Sequence, residues 1–191
     1  MITFGATAQV SDEININAQF NQFIDLRVLD SEVFWEVKTI QDYKDGFWPV
    51  KRPIPFQVAA STNFRIEYYN TPMTDGQGHE LILENLAYRL EPANNTVKDE
   101  YNKRYQWAPS DGGGVNATLS GIYIASLTPK TILQAGPDGN AGDYEENYWK
   151  IRIGMASPNI RQITGLPRLL DQNIYPGTYV TNLTLTAIAE P

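Results

Sequence analysis

The chain contains no cysteine and a single histidine, His79. The first absence excludes disulfides, thiolate nucleophiles and cysteine-ligated zinc. The second leaves little room for histidine-based acid–base chemistry, which needs an orienting carboxylate and a nucleophile within reach. Basic residues are also in deficit, with 15 Lys and Arg against 22 Asp and Glu and a formal charge of -7. That balance argues against a nucleic-acid backbone as partner and suits a self-repelling surface. No apolar run reaches membrane-spanning length. Hardly any stretch carries a helical period, so the helical fold classes are set aside as well.

What the chain has in quantity is alternation. From Ile2 to Val28 the even positions are almost all apolar, through Phe4, Ala6, Ala8, Val10, Ile14, Ile16, Ala18, Phe20, Ile24 and Leu26, broken only at Asp12 and Gln22. A period of two places alternate side chains on opposite faces of an extended backbone. Strands rarely exceed about ten residues, so the pattern divides near Ser11-Asp12-Glu13 and again near Asn21-Gln22. Further strands are expected around Phe56 and Val58, from Phe64 to Tyr68, and in two pieces kinked at Asn85 within Leu81–Leu90. Others are expected from Leu119 to Leu127, from Trp149 to Met155, and from Tyr179 to Ile188. The prolines at 49, 53 and 55 argue against a ladder there. Residues 92–114 and 129–142 read as long polar loops, and 162–171 as irregular with a short turn at 168–171. Many short strands separated by turns, in 191 residues with 12 Pro and 14 Gly, describe one all-β sandwich.

The chemistry-bearing residues are sparse. His79 lies in a Gly-rich turn and is expected to be an exposed turn residue without a partner. Ser110-Asp111-Gly112-Gly113-Gly114 lacks the Lys-Ser/Thr ending and following helix of a phosphate cradle. Residues 138–146 concentrate oxygen ligands but depart from the twelve-residue calcium loop, so a solvated acidic loop is expected and no metal is assigned. No cofactor and no catalytic residue is assigned. Of the four tryptophans, Trp48 and Trp107 fall in predicted loops and are the candidates for glycan stacking. Ala6-Thr7-Ala8 is similar to a signal-peptidase site without the preceding basic and apolar regions. Residues 1–13 are thus either an extension ending in a real strand or partly the remnant of an export signal, and 14–191 form the domain.

Two passages carry a family resemblance. Ile14-Asn15-Ile16-Asn17-Ala18-Gln19-Phe20-Asn21-Gln22-Phe23-Ile24-Asp25-Leu26 resembles the amino-terminal pattern of pilins of the bacterial chaperone-usher pathway, closest to the colonisation-factor (alpha) class. Asn21-Gln22 stands where that class typically has Asp-Pro. Tyr175-Pro176-Gly177-Thr178-Tyr179 through Ala187 is similar to the family's carboxy-terminal Tyr-x-Gly strand. The resemblance implies an immunoglobulin-like β-sandwich short of one strand, completed by an amino-terminal strand donated by a neighbouring copy. It implies export through the periplasm with a chaperone, an outer-membrane usher as a further partner, and a place in a fimbrium on the bacterial surface that supports adhesion to a host glycan or protein receptor.

The residues place a surplus patterned strand at the head of the chain and a strongly patterned strand at its tail. The expected donor side chains are Ile14, Ile16, Ala18 and Phe20, and the expected acceptor groove is Tyr179, Leu183, Leu185 and Ala187. Seating four such side chains buries roughly 300 Å² of apolar surface, which at about 25 cal/mol per Å² stabilises the contact by several kcal/mol. Residues 1–10 are the alternative donor, with 14–20 then serving as the domain's own first strand. The alternative function is a carbohydrate-binding sandwich, stand-alone or at a fimbrial tip, that uses Trp48 and Trp107.

Overall fold

The computed structural model describes residues 22–30, 32–34, 36–48, 53–111 and 121–190. Eleven strands are found among them: β1 (Ile24–Val28), β2 (Ile54–Ala60), β3 (Phe64–Asn70), β4 (Met73–Thr74), β5 (Glu80–Leu81), β6 (Leu86–Pro92), β7 (Tyr105–Trp107), β8 (Tyr123–Ile124), β9 (Lys130–Ala135), β10 (Tyr148–Met155) and β11 (Leu183–Ala189). Three α-helices accompany them: α1 (Ile40–Asp45), α2 (Asn95–Arg104) and α3 (Pro158–Thr164). One sheet has the order β1-β2-β10-β6-β8 and a second the order β11-β3-β9-β7, with antiparallel pairing throughout. The ribbon β4-β5 stands apart from both. The expected all-β class is thus observed, as two sheets packed face to face.

Alternation explains why these segments pair. In β3, Phe64, Ile66, Tyr68 and Asn70 are buried, while Arg65, Glu67 and Tyr69 are only half-buried. The inner faces meet in a core that includes the fully covered Phe56, Val58, Phe64, Ile66, Leu133, Trp149 and Ile151. Tyr68 sits edge-on to Tyr88 and Tyr123, with ring centroids 5.5 and 6.3 Å away, and its hydroxyl donates to the Ile124 carbonyl at 2.8 Å. A buried phenol is tolerable when its polar tip is paired in this way. Ala87 alternates with the core residues Leu86 and Tyr88, and so faces outward from its sheet. There it joins Ile122, Ile124 and Ile160 in a smaller cluster that includes Ile160 of α3.

Several segments depart from the sequence reading. The expected loop around Tyr43 contains α1, nucleated by a capping box: the Thr39 hydroxyl accepts from the Asp42 amide and the Asp42 carboxylate accepts from the Thr39 amide. The expected polar excursion at 92–114 contains α2, where the Asn94 side chain accepts from the Val97 amide at 2.9 Å and Val97 is fully covered. The same excursion contains β7. Residues 129–142 contain β9, which is central in its sheet. Pairing runs through Pro55, opposite Lys150. This proline lies at the start of β2 and contributes its carbonyl to the Leu29 amide at 2.9 Å, so the missing N–H does little harm there. Helix α3 occupies the start of the segment read as irregular, with Pro158 in its first turn, and the short turn expected at 168–171 is a 3-10 turn at Leu169–Asp171. The kink expected at Asn85 is a 3-10 turn at Leu83–Asn85, between β5 and β6. The last strand begins at Leu183, not at Tyr179.

Register gives the sandwich two distinct poles. At one lie Phe23, Ile24, Ala60, Phe64 and Ala189; at the other lie Val28, Ile54, Asn70 and Leu183. The chain enters β1 at the first pole, where Phe23 and Ser61 share two hydrogen bonds: the Ser61 amide donates to the Phe23 carbonyl at 2.9 Å, and the Phe23 amide donates to the Ser61 side-chain hydroxyl at 2.8 Å.

Candidate functional site

At the second pole the two sheets part, and a cleft of about 840 Å³ opens into the core. Its floor is apolar and belongs to the strands: Ile54, Leu86, Tyr88, Ile153 and Met155. One wall is the end of β1 at Val28, with Val33, Phe34, Val37 and Lys38 beyond it. The other wall is the start of β11, Leu183 and Leu185, with the preceding strap from Ile174 to Asn182. Among the described residues β11 pairs only with β3, so its outer edge, on the side of the cleft, carries no ladder. An open edge beside exposed apolar surface is a template for another strand.

The strap is tied down on its far side by the β4-β5 ribbon. Thr74 and Val180 exchange both backbone hydrogen bonds, at 3.1 and 2.9 Å. The Thr71 amide donates to the Asn182 carbonyl at 3.0 Å, and the Thr181 hydroxyl donates to the Thr71 carbonyl at 2.7 Å. His79 is the fourth residue after Asp75 and pairs with it, Nδ1 lying 2.7 Å from the carboxylate. This corrects the reading of His79 as a residue without a partner, for which the four-residue spacing was the available signal. The His79 ring stacks on Tyr175 of the strap with centroids 4.1 Å apart and planes at 12°. The hydrogen bond from the His79 side chain, followed by those from the His79 and Gln77 amides, holds the Asp75 carboxyl below the ordinary aspartate range despite its partial desolvation. The Tyr-x-Gly motif thus builds the strap rather than a strand.

One polar group stands out in the wall. The Asn70 side-chain amide donates to the Tyr88 hydroxyl at 2.7 Å, while its oxygen has no hydrogen-bond partner among the described residues, although Asn70 is buried. Burial raises the Tyr88 hydroxyl far above the usual phenol range, so Tyr88 remains neutral.

No protein-family model matches the chain, and no curated protein matches it in sequence.

Of the four expected acceptor residues, Tyr179, Leu183 and Leu185 line the cleft. Ala187 packs on the same core lower down β11, away from the opening. The donor candidates Ile14, Ile16, Ala18 and Phe20, and the alternative donor 1–10, lie outside the described residues. Trp48 and Trp107 are held in separate clusters. Trp48 packs with Ile163 on the small outer cluster and lies so close over Gly154 that a Cβ there would stand 1.8 Å from the indole. Trp107 is half-buried against the main core, edge-on to Trp149 at 6.0 Å. Both indoles are spent largely on packing, and the structure does not bring them together as a platform. In the 138–146 loop, the Asp143 carboxylate accepts from the Glu145 and Glu146 amides at 2.9 and 3.0 Å. Glu146 pairs with Arg104 at 3.3 Å, and Asn140 exchanges hydrogen bonds with the Phe64 backbone. These groups organise the loop and anchor it to β3. The wall residues Val28, Val33, Phe34, Val37 and Lys38 and the floor residue Tyr88 escaped the sequence reading as parts of a site, because none carries a motif and only the pairing of distant strands brings them to one cleft.

Proposed function

We propose that this protein is a structural subunit of a chaperone-usher fimbrium, akin to the colonisation-factor class, which polymerises by strand donation and supports bacterial adhesion. The observation that carries the reading is the cleft beside the unpaired edge of β11. Strand order supports it too. An immunoglobulin-like sandwich has strands A, B, E and D in one sheet and C, F and G in the other. Taking β1, β2, β3, β6, β10 and β11 as A to F reproduces the neighbours A-B-E-D and F-C, and the position of G falls beside β11, where the described residues leave the edge unpaired. The amino-terminal stripe Ile14, Ile16, Ala18 and Phe20 of another copy has the period and chemistry to occupy that position.

The two poles supply the polarity. The segment that would be donated joins the sandwich at the Phe23 end, whereas the cleft lies at the Leu183 end. A contact between unlike ends of identical copies is heterologous and propagates as a fibre. In this reading the partners are neighbouring subunits, a periplasmic chaperone that covers the empty cleft, and an outer-membrane usher, and the subunit resides on the bacterial surface. The test compares the full chain with a deletion of residues 1–20 and with a full-length Ile16→Asp, Ala18→Asp variant. The wild-type chain is expected to give a ladder of oligomers resistant to detergent without boiling, and both variants to run as monomers. A wild-type chain that forms no oligomers, or variants that polymerise equally well, would overturn the reading.

A further inference from the structure

Exposed apolar side chains are distributed unevenly between the poles. Ten large ones are exposed among the described residues. Val28, Phe34, Tyr175 and Val180 line the cleft, and the last three are 75%, 53% and 59% exposed. Phe23, 53% exposed, lies at the opposite pole, on the Ser61 turn. Apolar surface gathered at one site on a folded chain marks a contact.

Chain length then dictates what meets that surface. Resting on the reading that residues 14–20 of one copy fill the cleft of the next, only Asn21 and Gln22 separate the seated strand from Phe23. Three residue steps span at most about 10 Å, so the Phe23 pole of the donor is drawn down onto the mouth of the acceptor's cleft. We propose that successive copies share this second contact, in which Phe23 of one copy packs against the Tyr175–Val180 strap of the next, covering the exposed rim and making the joint between subunits stiff. The occupant of the rim is thus a second copy of this chain, presented by its opposite pole. Donation of residues 1–10 instead would leave residues 11–22 as a tether of about 40 Å when extended, and the two poles would not be held together.

The absence of cysteine makes the test direct. Gln22→Cys and Thr178→Cys place single thiols at exposed positions beside the two halves of the contact while leaving Phe23, Tyr175 and Val180 intact. Full-length copies of the two variants are assembled together and treated with a short bifunctional maleimide. The expected result is a covalent dimer in the mixture, none from either variant assembled alone, and a covalent ladder from the double variant. In addition, Phe23→Asp is expected to speed release of subunits from the assembled oligomers about tenfold. Oligomers that form without cross-linking in the mixture overturn this contact and leave strand donation standing. Cross-linking within either variant alone also overturns it, since like poles would then meet. Failure to assemble at all overturns strand donation and this contact together.

Discussion

At the scale of single residues, much of the architecture depends on small side chains that admit large ones. Gly154 is the clearest case: β10 passes beneath Trp48 so closely that no side chain fits between them. Gly154→Ala must push the indole off the outer face or bend a central strand, and overpacking of this kind costs about 1–3 kcal/mol. The expected outcome is a lower urea midpoint with an unchanged slope. Combining it with Trp48→Ala should cost less than the sum of the two single changes, because both act on one contact. Nothing in the sequence around Gly154 announces this role. Its alternation with Ile153 and Met155 tells only which face of the strand it occupies, and the identity of the group covering that face depends on where residue 48 is brought.

At the scale of elements, the strap from Ile174 to Asn182 is the part of the cleft that chemistry can loosen. Its outer side leans on the turn organised by Asp75, whose carboxylate accepts from the Gln77 amide, the His79 amide and the His79 ring. Those bonds favour the ionised form and depress the folded-state value below the roughly 3.9 of an unfolded aspartate. The stabilisation is therefore complete above that unfolded value and is lost as the pH falls through the lowered one. Hydrogen exchange at the Thr74 and Val180 amides is expected to accelerate below about pH 4, and Asp75→Asn should abolish that acid dependence while exchanging faster at neutral pH. Among elements, the strands with strict alternation, β3 and β10, were legible. The helices α1 and α2 were not: α1 is too short to display a period, and α2 covers the core through Val97 with little apolar repetition of its own. Strand β9 was hidden by the turn residues that follow it, although Ile132 and Leu133 are fully buried.

At the scale of the whole molecule, polarity is the property with consequences. If copies join by the proposed strand donation, a copy that can donate its amino-terminal segment but cannot accept one should cap one end of a growing fibre. Leu185→Glu puts a charge into the cleft at the start of β11, on a side chain that is half-buried at the opening rather than in the sealed core. Mixed with wild-type chains at a few per cent, it is expected to shorten fibres in proportion to its fraction, as counted by electron microscopy. Its circular dichroism should remain that of the wild type. Fibre lengths that do not respond to the variant would indicate growth that does not pass through this cleft.

Alternation of apolar and polar residues was sufficient to determine that the chain is all-β, roughly where its principal strands run, and that Leu183 and Leu185 face inward. These are local matters, since the pleat alone assigns successive side chains to opposite faces. Whether a given edge is covered, however, depends on residues far apart in the chain. That β11 pairs with β3, that the sheets part over Tyr88 and Met155, and that the chain enters β1 at the pole opposite the cleft were decided by tertiary structure alone. Each follows from the order in which distant strands pair, and strand order leaves no trace in the period of any one of them.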